Sequence, residues 1–354
     1  MNAPSRAPAG TRLSFGFGDR LGLATPGHLA AIAAFNQKSA APLFPILAQQ
    51  SIRELTLTGR TYRDVIADAA QAADMPFGAD GDHMKTLAEV ANALDCGCTM
   101  ITVDCSEVLR PEADSTETIY GGAVQHCLDC YELIDGKADF ELSVDETTFP
   151  TTPAAHFFVA NELIKRGVKI DSLAPRFPGS FEKGIDYVGN LAEFEADLIE
   201  HQKIAEQFGY RLSIHSGSDK FAVFPIIARV TGGNVHVKTA GTSWLEALRV
   251  VAQTDSAFFR ELLTFAANNQ DRARTLYHVS TNWRGGPECE FSNDDLPALL
   301  NRDDIRQSLH ITYGAMLAEP LIKQRLFILL RREKEAYINA LVKHFKKHLD
   351  PFVC

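Results

Sequence analysis

Short β-type runs that alternate with helical stretches are the feature that most constrains how this chain folds. A β run followed by a helix and another β run is typical of βαβ units in a parallel sheet. Seven runs fit this pattern and LHITYG is a weaker eighth; they cover residues 12–18, 75–81, 99–105, 140–146, 172–177, 211–217, 234–241 and 309–314. This number of units predicts an α/β fold closed into a (β/α)8 TIM-type barrel rather than an open sheet.

The segments around these runs predict how the rest of the chain is organised. Residues 107–139 are too many for a simple loop, and they predict a helical insertion, a pair of helices, after strand 3. Residues 319–348 predict a basic, amphipathic C-terminal helical extension. Residues 1–12 are rich in proline and small residues and predict a flexible tail, so we expect residues 13–354 to form a single catalytic barrel domain.

Composition excludes several classes of partner. The net charge of −10 disfavours an extended surface for nucleic acid or an anionic membrane. No apolar run approaches the ~18 residues of a membrane span, and the N-terminus lacks the apolar segment of a secretory signal. The pairs Cys96/Cys98 and Cys127/Cys130 lack a usual zinc-finger context, so reduced thiols are favoured over structural zinc. We expect a cytoplasmic protein with a small-molecule substrate, and a homo-oligomer is left open.

Side chains capable of chemistry recur at the ends of the predicted strands. They are Asp19, Arg20, Asp80, Asp82, His83, Asp104, Asp145, Glu146, Arg176, His215, His236 and Lys238. In a parallel barrel the carboxyl ends of the strands converge on one mouth, where the active sites of barrel enzymes lie. Packing alone gives no reason for a repeated polar group at this level. The pattern therefore predicts one shared pocket, with FGADGDHMK (residues 77–85) as part of its wall.

Histidines at three strand ends predict a metal site. They are His83, His215 and His236. A single strand histidine is more often a hydrogen-bonded core residue than a ligand, but three of them occur here with carboxylates. Imidazole and carboxylate together suit Zn²⁺, Mn²⁺ or a similar divalent ion, so we expect these histidines, completed by Glu146, to bind one. His344 and His348 are also spaced i, i+4, but their basic surroundings predict a solvated helix face.

Lys238 lies inside the apolar β run of VHVKTAGTS, and three roles are open for it. Desolvation lowers the pKa of a buried lysine, which can then act as a Schiff-base nucleophile. Alternatively, the ammonium forms a structural ion pair with Asp104 or Asp145. The third role, which we favour, is to clamp a substrate carboxylate or to polarise a hydroxyl group.

Neighbouring loops contain candidates for holding an acidic substrate. Arg176 can bind a carboxylate through two hydrogen bonds, and Glu182 on the same loop can supply a proton or serve a surface role. The substrate-binding candidates are Asp19, Arg20, Arg176, Asp219 and Lys220. SFGFGDRLG superficially resembles a dinucleotide loop, but the third glycine and the acidic residue of a second strand are missing. We therefore expect no nucleotide cofactor.

Six stretches together resemble the tagaturonate epimerase family, UxaE. They are SFGFGDRLGLATPGH, FGADGDHMKT, ITVDCSE, SIHSGSDKF, VHVKTAGTSW and ITYGAML, and the resemblance covers residues 14 to about 317. The family implies a metal-dependent barrel enzyme of hexuronate catabolism that interconverts D-tagaturonate and D-fructuronate. Carried over to the matching motifs, the implied metal ligands are His83, His215 and His236. Asp82 and Glu182 form the implied acid/base pair, although Glu182 lies outside the strongest motifs, and Lys238 is a third catalytic candidate.

The implied reaction limits the mechanism. The two ketohexuronates differ at C4, which is not adjacent to the carbonyl group, so simple proton abstraction cannot invert this carbon. Transient oxidation is disfavoured because a nucleotide fingerprint is missing. Retro-aldol cleavage of the C3–C4 bond and re-addition remains, with a divalent ion as the Lewis acid. Two alternatives compete: a metal-free Schiff-base aldolase or isomerase that uses Lys238, and a sugar-acid-binding protein without turnover.

Overall fold

Eight parallel strands close into a barrel. The computed structural model describes residues 13–285 and 291–353. In this part of the chain the strands pair in sequence order, and the last pairs with the first, with Ser14 opposite His236. The strands are β1 Ser14–Phe17, β2 Phe44–Ser51, β3 Gly78–Met84, β4 Met100–Asp104, β5 Asp139–Ser143, β6 Ser172–Ala174, β7 Arg211–Ile214 and β8 Val235–Thr239. The predicted (β/α)8 TIM-type barrel is confirmed.

Helices connect the strands and continue after the last one. Between β1 and β8 they are α1 Thr25–Asn36, α2 Ile52–Thr58, α3 Tyr62–Ala72, α4 Leu87–Cys96, α5 Thr116–Ile134, α6 Pro153–Lys165, α7 Leu191–Phe208 and α8 Phe224–Thr231. After β8 they are α9 Thr242–Thr254, α10 Ser256–Arg274, α11 Asp303–Ile311, α12 Tyr313–Ala318, α13 Pro320–Arg332 and α14 Lys334–Leu349. Capping boxes at Ser51, Thr61 and Thr86 define the starts of α2, α3 and α4. Within the described residues, every helix is too short or too polar to cross a membrane.

One predicted strand is wrong and one strand is missed. Residues 309–314 lie in α11 and α12, where Leu309 and Tyr313 are buried. A short apolar run does not distinguish a strand from a buried helix, and here the helical packing decides. β2 is missed because FPILAQQS contains a proline and two glutamines, which weaken a strand signal.

The segment 107–139 contains one long helix rather than the predicted inserted pair. α5 packs against α4 and α6 and connects β4 to β5, which is the position of a regular barrel helix. This described segment holds no second α-helix. The extra length is in the 19 residues of α5 and in the turn that precedes it.

The C-terminal helices complete the barrel's outer layer. α14 packs against α1 and α9, in agreement with the predicted helical extension. One hydrophobic cluster contains residues from Leu13 to Phe352, which supports the single domain, although that division stays a prediction. The predicted tail, residues 1–12, lies outside the described residues. The described cysteines are free thiols: Cys96, Cys98, Cys105, Cys127 and Cys130.

Candidate active site

A cavity of about 360 Å³ opens at the carboxyl ends of the barrel strands. Its wall combines the exits of β2, β3, β5, β7 and β8 with the loop that follows β6. The charged and polar side chains in the wall include Gln49, Arg53, Asp82, His83, Asp145, Glu146, Arg176, Glu182, Lys183, His215, Ser216 and Lys238. The cavity therefore lies where barrel enzymes have their active sites.

Strand periodicity explains why several of these residues meet. Side chains at i and i+2 of a strand point to the same face, so Asp80 and Asp82 of β3 both face the barrel interior. Glu141 of β5 and Asp145 just beyond it follow the same spacing. Lys238 of β8 contacts the first three of these carboxylates.

His83 is turned into the cavity by a break in the strand. Strict alternation would direct His83 away from Asp82, to the opposite face of β3. The β3–β4 pairing shifts between Gly81 and Met84, and the φ angle of His83 is 58°. A bulge of this kind re-aims a side chain, and it brings the imidazole to the pocket.

His83, Asp145 and His215 form a group that can bind a metal ion. Asp145 Oδ1 lies 3.0 Å from His215 Nδ1 and 3.6 Å from His83 Nε2. The two imidazole centroids are 4.8 Å apart, and one potential ligand atom from each residue lies within 4.8 Å of the others. Two imidazoles and a carboxylate are a donor set that suits Zn²⁺ or Mn²⁺.

Two carboxylates outside this group, those of Asp82 and Glu141, orient the imidazoles of His83 and His215. His83 Nδ1 donates to Asp82 Oδ1 at 2.8 Å, and His215 Nε2 donates to Glu141 Oε1 at 2.8 Å. This arrangement is frequent around metal-binding histidines, because it fixes the tautomer and the ring orientation. The buried His83 Nε2 has no hydrogen-bond partner among the described residues. These observations fit a metal ion at the cluster of His83, Asp145 and His215.

The carboxylates of the pocket differ in ionisation. Burial alone would raise the pKa of Asp82, but Lys238 and His83 hold this pKa well below its ordinary value. Glu141 and Asp145 also have lowered pKa values, because their cationic neighbours outweigh burial. Asp80 is different: burial raises its pKa to about 6, although Lys238 opposes the shift.

Lys238 is a fully paired ammonium. Its Nζ lies 2.8 Å from a carboxylate oxygen of each of Asp80, Asp82 and Glu141. Burial would lower the pKa of this lysine, but the three carboxylates raise it well above its ordinary value. Its partners therefore differ from Asp104 and Asp145, the ones predicted for a structural pair.

Glu182 and Glu146 lie in different parts of the wall. Glu182 Oε2 accepts hydrogen bonds from the Ser280 N–H at 2.6 Å and from Gln307 Nε2 at 2.7 Å. Burial would raise the pKa of Glu182, but these hydrogen bonds lower it. Glu146 is partly exposed; its Oε1 lies 3.9 Å from His83 Nε2 and 3.5 Å from Arg53.

His236 does not join His83 and His215. Its Nδ1 lies 2.7 Å from Ser14 Oγ, and burial lowers its pKa to about 3. It precedes Lys238 by two residues on β8, so it faces the same side of the strand but lies roughly 6.6 Å deeper in the barrel. Two groups of described residues have ligand atoms close enough to hold an ion, the one of His83, Asp145 and His215 and one of Asp219, His344 and His348, and His236 belongs to neither. In the first group Asp145 supplies the third donor instead.

Four predicted substrate-binding residues lie outside the cavity wall. They are Asp19, Arg20, Asp219 and Lys220. Asp19 accepts three backbone N–H groups of its own loop, and Arg20 pairs with Glu54 at 2.9 Å. The Lys220 ammonium donates to three backbone carbonyl oxygens. By contrast, Arg176 lines the cavity and donates to the backbone carbonyl of Asp145 at 3.2 Å.

The expectation that His344 and His348 are solvated is wrong. Both are buried against the loop after β7. His344 Nε2 lies 2.5 Å from Asp219 Oδ1, and His348 Nε2 accepts the Asp219 backbone N–H at 2.9 Å. Arg306 pairs with the same carboxylate at 2.8 Å. The basic residues of α14 occupy its outer face, whereas its histidines face inward.

Sequence reasoning missed several residues of the site. Glu141 was not selected, and Asp80 was named among the polar strand ends without a role, although each shares a strand face with another acid of the site. Gln49 was missed with its strand, and it donates to Asp82 Oδ2 at 3.2 Å. Lys183 has no strand-end signal, because it comes from the loop after β6.

Comparison with known proteins gives consistent matches along the chain. A family model described as UxaE, tagaturonate epimerase, matches residues 2–118 and 114–352. A Thermotoga maritima protein named tagaturonate/fructuronate epimerase is 39% identical over 395 residues, covering 97% of this chain and 81% of that protein. The glycerol-complexed crystal structure of fructuronate-tagaturonate epimerase UxaE from Cohnella laeviribosi is 40% identical with a TM-score of 0.94, covering 99% of this chain and 83% of that one. A probable tagatose 6-phosphate kinase from Sinorhizobium meliloti, 12% identical with a TM-score of 0.57, shares the fold alone.

The closed barrel, with a cavity lined by ionisable side chains at the carboxyl ends of its strands, defines a TIM-barrel enzyme. The family match and the two relatives near 40% identity make the assignment more specific. This chain belongs to the tagaturonate epimerase family, UxaE. The resemblance carried by its six motifs is therefore confirmed.

Proposed function

We propose that this enzyme interconverts D-tagaturonate and D-fructuronate by inverting C4 of a ketohexuronate. The relatives from Thermotoga maritima and Cohnella laeviribosi support this, since both carry the name of that activity. The observation that carries the proposal is the cluster of His83, Asp145 and His215, oriented by outer carboxylates in a cavity of about 360 Å³. We propose a cytoplasmic location for this step of hexuronate catabolism.

We infer that His83, Asp145 and His215 hold a divalent ion, Zn²⁺ or Mn²⁺, with Glu146 as a fourth ligand. The mixed nitrogen and oxygen donors and the unpartnered His83 Nε2 support this inference. When bound, such an ion supplies a Lewis acid for the carbonyl and hydroxyl oxygens of the sugar.

The charge balance of the pocket also favours a bound cation. Asp80, Asp82, Glu141 and Asp145 are buried or half-buried, and Lys238 is the one lysine that pairs with them in the described chain. The same negative field raises the pKa of His83 well above its ordinary value, although burial would lower it. Without added positive charge, these carboxylates would repel an anionic uronate.

We propose that Glu182 transfers the proton at the C4 hydroxyl group. Its carboxylate is ionised at neutral pH, because its pKa is lowered. Oε2 is held by two hydrogen bonds, whereas Oε1 has a long contact of 3.5 Å to Ser180 Oγ. In a retro-aldol route, Glu182 would take the hydroxyl proton as the C3–C4 bond breaks and return it to the C4 oxygen after re-addition to the other face. General base help of this kind contributes about 10²- to 10⁴-fold.

Asp82 is better suited to positioning than to proton transfer. Its two oxygens accept hydrogen bonds from His83, Lys238 and Gln49, so the carboxylate is already engaged by three neighbouring side chains. We therefore propose that Asp82, the predicted partner of Glu182, orients His83 and Lys238.

The two competing functions fit the pocket less well. A Schiff-base lysine must be neutral to attack a carbonyl, whereas three carboxylates keep Lys238 protonated. A protein that only binds sugar acids has little need for so many perturbed ionisations in one cavity. We propose that Lys238 instead neutralises the acidic side of the pocket.

Turnover with and without metal tests the proposal. Incubation with D-tagaturonate is expected to yield D-fructuronate; prolonged chelation should abolish the conversion, and Zn²⁺ or Mn²⁺ should restore it. His215→Ala is expected to lower both bound metal, measured by elemental analysis, and turnover. His126→Ala on α5, outside the cavity, is the matched control and should leave both unchanged. Chelator-resistant turnover, or a borohydride-trapped adduct at Lys238, would contradict the proposal.

A further inference from the structure

Lys183 is a cation of the cavity wall that has no carboxylate partner. Lys238 pairs with three carboxylates, and Arg53 pairs with Glu146. The Lys183 ammonium instead donates to the Ser216 hydroxyl, with Nζ 2.8 Å from Oγ. Among the described residues, no carboxylate oxygen lies within 4.0 Å of this ammonium. A pocket cation without a counter-ion is suited to an anionic group of a ligand.

Lys183 also contacts the part of the barrel where anionic groups commonly bind. Ser216 and Ser218 follow β7, Ala240 and Gly241 follow β8, and all four line the cavity. The Gly241 N–H donates to Ser218 Oγ at 3.3 Å, which joins the two loops. In TIM barrels, the loops after the seventh and eighth strands frequently form a phosphate site.

Buried hydrogen bonds fix the backbone on both sides of Lys183. The Lys220 ammonium donates to the Glu182 carbonyl oxygen at 2.7 Å. Arg306 Nε donates to the Gly184 carbonyl oxygen at 2.7 Å. Because the backbone is already ordered, binding has to order little more than the Lys183 side chain, which favours affinity.

The loop that presents Ser216 is held in an unusual conformation. Ser216 has a φ angle of 51° and Asp219 has one of 65°. Non-glycine residues rarely adopt this region, and they often do so at ligand sites. His348 of α14 accepts the Asp219 N–H and helps to hold the loop in place.

We propose that Lys183, together with the Ser216 hydroxyl group, binds the carboxylate of the hexuronate. The inference rests on the proposed function and adds the residue that recognises the acid group. Ser216 follows His215 directly, and the C6 carboxylate lies two bonds from C4. A sugar that reacts beside His215 can therefore reach Lys183 with its acid group. Lys220, predicted to contact the substrate itself, is then a positioning residue for Lys183.

Steady-state kinetics of Lys183 variants tests the inference. Lys183→Met is expected to raise KM for tagaturonate about 10- to 100-fold, the effect of losing one charge-assisted hydrogen bond, with kcat changed by less than about threefold. Lys183→Arg should restore most of the affinity. The neutral ketohexose D-tagatose, used as a competitive inhibitor, should keep its inhibition constant in Lys183→Met. Lys203→Met, on the exposed face of α7, is the matched control and should change none of these values.

Several outcomes would overturn the inference. An unchanged KM in Lys183→Met would do so, and so would an equal loss of affinity for tagatose. The same holds if Arg176→Met, rather than Lys183→Met, shows the change in KM. Lys183→Gln, which keeps a donor toward Ser216, replaces the Met variant if that one fails to fold. If the wild-type protein binds tagaturonate without converting it, the proposed function fails, and calorimetric binding to the same variants still tests Lys183.

Discussion

The orientation of the His83 ring is determined by a hydrogen bond to the ring and by the conformation of the backbone. Asp82 accepts its Nδ1–H at 2.8 Å, so Nε2 is directed toward Asp145, 3.6 Å away. The backbone contributes as well, because a positive φ angle turns the ring into the cavity. Asp82 in turn is held by Lys238. The direction of one ring therefore depends on a chain of contacts that crosses the barrel from β8 to β3.

Replacing Asp82 separates positioning from proton transfer. Asp82→Asn keeps the shape of the side chain but removes the charge that orients His83 and Lys238. Loss of an outer partner typically weakens metal affinity about 10- to 100-fold. We therefore expect kcat to fall at limiting metal and to recover to within about tenfold at saturating metal. Metal titrations of kcat check this, and a loss above about 10²-fold that persists at saturation would identify Asp82 as a proton carrier instead.

At this scale the sequence predicts which strand ends are polar, but not which side chains meet. His236 and Lys238 share a face of β8, yet one is buried beside Ser14 and the other reaches the carboxylates. Their difference is depth in the barrel, which depends on strand tilt and register and does not appear in a pattern of residue types. Asp145 was named among the polar strand ends and as a possible partner of Lys238, but not as a metal ligand.

The loop after β7 shows how one element is stabilised by another that is distant in sequence. Asp219 of this loop pairs with Arg306 of α11 and with His344 of α14. Burial would raise the pKa of the Asp219 carboxyl group, but Arg306 and His344 hold it well below its ordinary value. The C-terminal helix therefore supports the loop that presents Ser216 to the cavity.

Removing the charge of Asp219 should destabilise this arrangement. Asp219→Asn is a suitable change, because asparagine tolerates the φ angle of 65° at this position. Loss of one partner from a buried ion pair costs about 3 kcal/mol or more, which urea denaturation at pH 7 would measure. Asp95→Asn, on the exposed face of α4, is the control and should stay within about 0.5 kcal/mol of the wild type.

The pH dependence of the difference in free energy of unfolding between the wild type and Asp219→Asn shows whether the lost charge causes it. The folded-state pKa of Asp219 is depressed, so its contribution to stability is complete above the ordinary value of 3.8 and is lost as pH falls through the folded-state pKa. The free energies of unfolding of the wild type and Asp219→Asn should therefore converge below about pH 4. A difference that stays constant across this range would indicate lost packing rather than lost charge.

The elements themselves were only partly predictable. Seven β runs became strands, in agreement with the regular alternation of short β-type runs and helical stretches along the chain. β2 was missed because it ends in two buried glutamines, Gln49 and Gln50, which serve the pocket and the neighbouring loop rather than the core. Residues 309–314 look like a strand because α11 is buried from several sides, and Trp244 even donates to the Leu309 carbonyl oxygen. The polar residues that β2 contributes to the site weakened its strand signal, and the burial of residues 309–314 gave a helix the apolar pattern of a strand.

In the whole molecule, the cluster of His83, Asp145 and His215 joins strands that are not neighbours. His83 belongs to β3, Asp145 follows β5 and His215 follows β7. Alternate strands of a TIM barrel supply the side chains of one interior layer, so this cluster continues the layering of the core into the mouth. The fourth odd strand, β1, provides Gly16, where a Cβ atom would lie 1.9 Å from Gln49 Oε1. A missing side chain there makes room for the polar contacts of Asp82.

An ion held by three strands of a closed barrel should stabilise the entire fold, since the strands cannot separate without losing it. Binding at about 100 times Kd adds about 2.7 kcal/mol to the free energy of unfolding. We expect scanning calorimetry of chelated protein to show Tm rising by several degrees on addition of Zn²⁺ or Mn²⁺. His215→Ala should show no rise, because it lacks one ligand, whereas His126→Ala should match the wild type. Equal Tm values with and without metal in the wild type would mean that the cluster works without an ion.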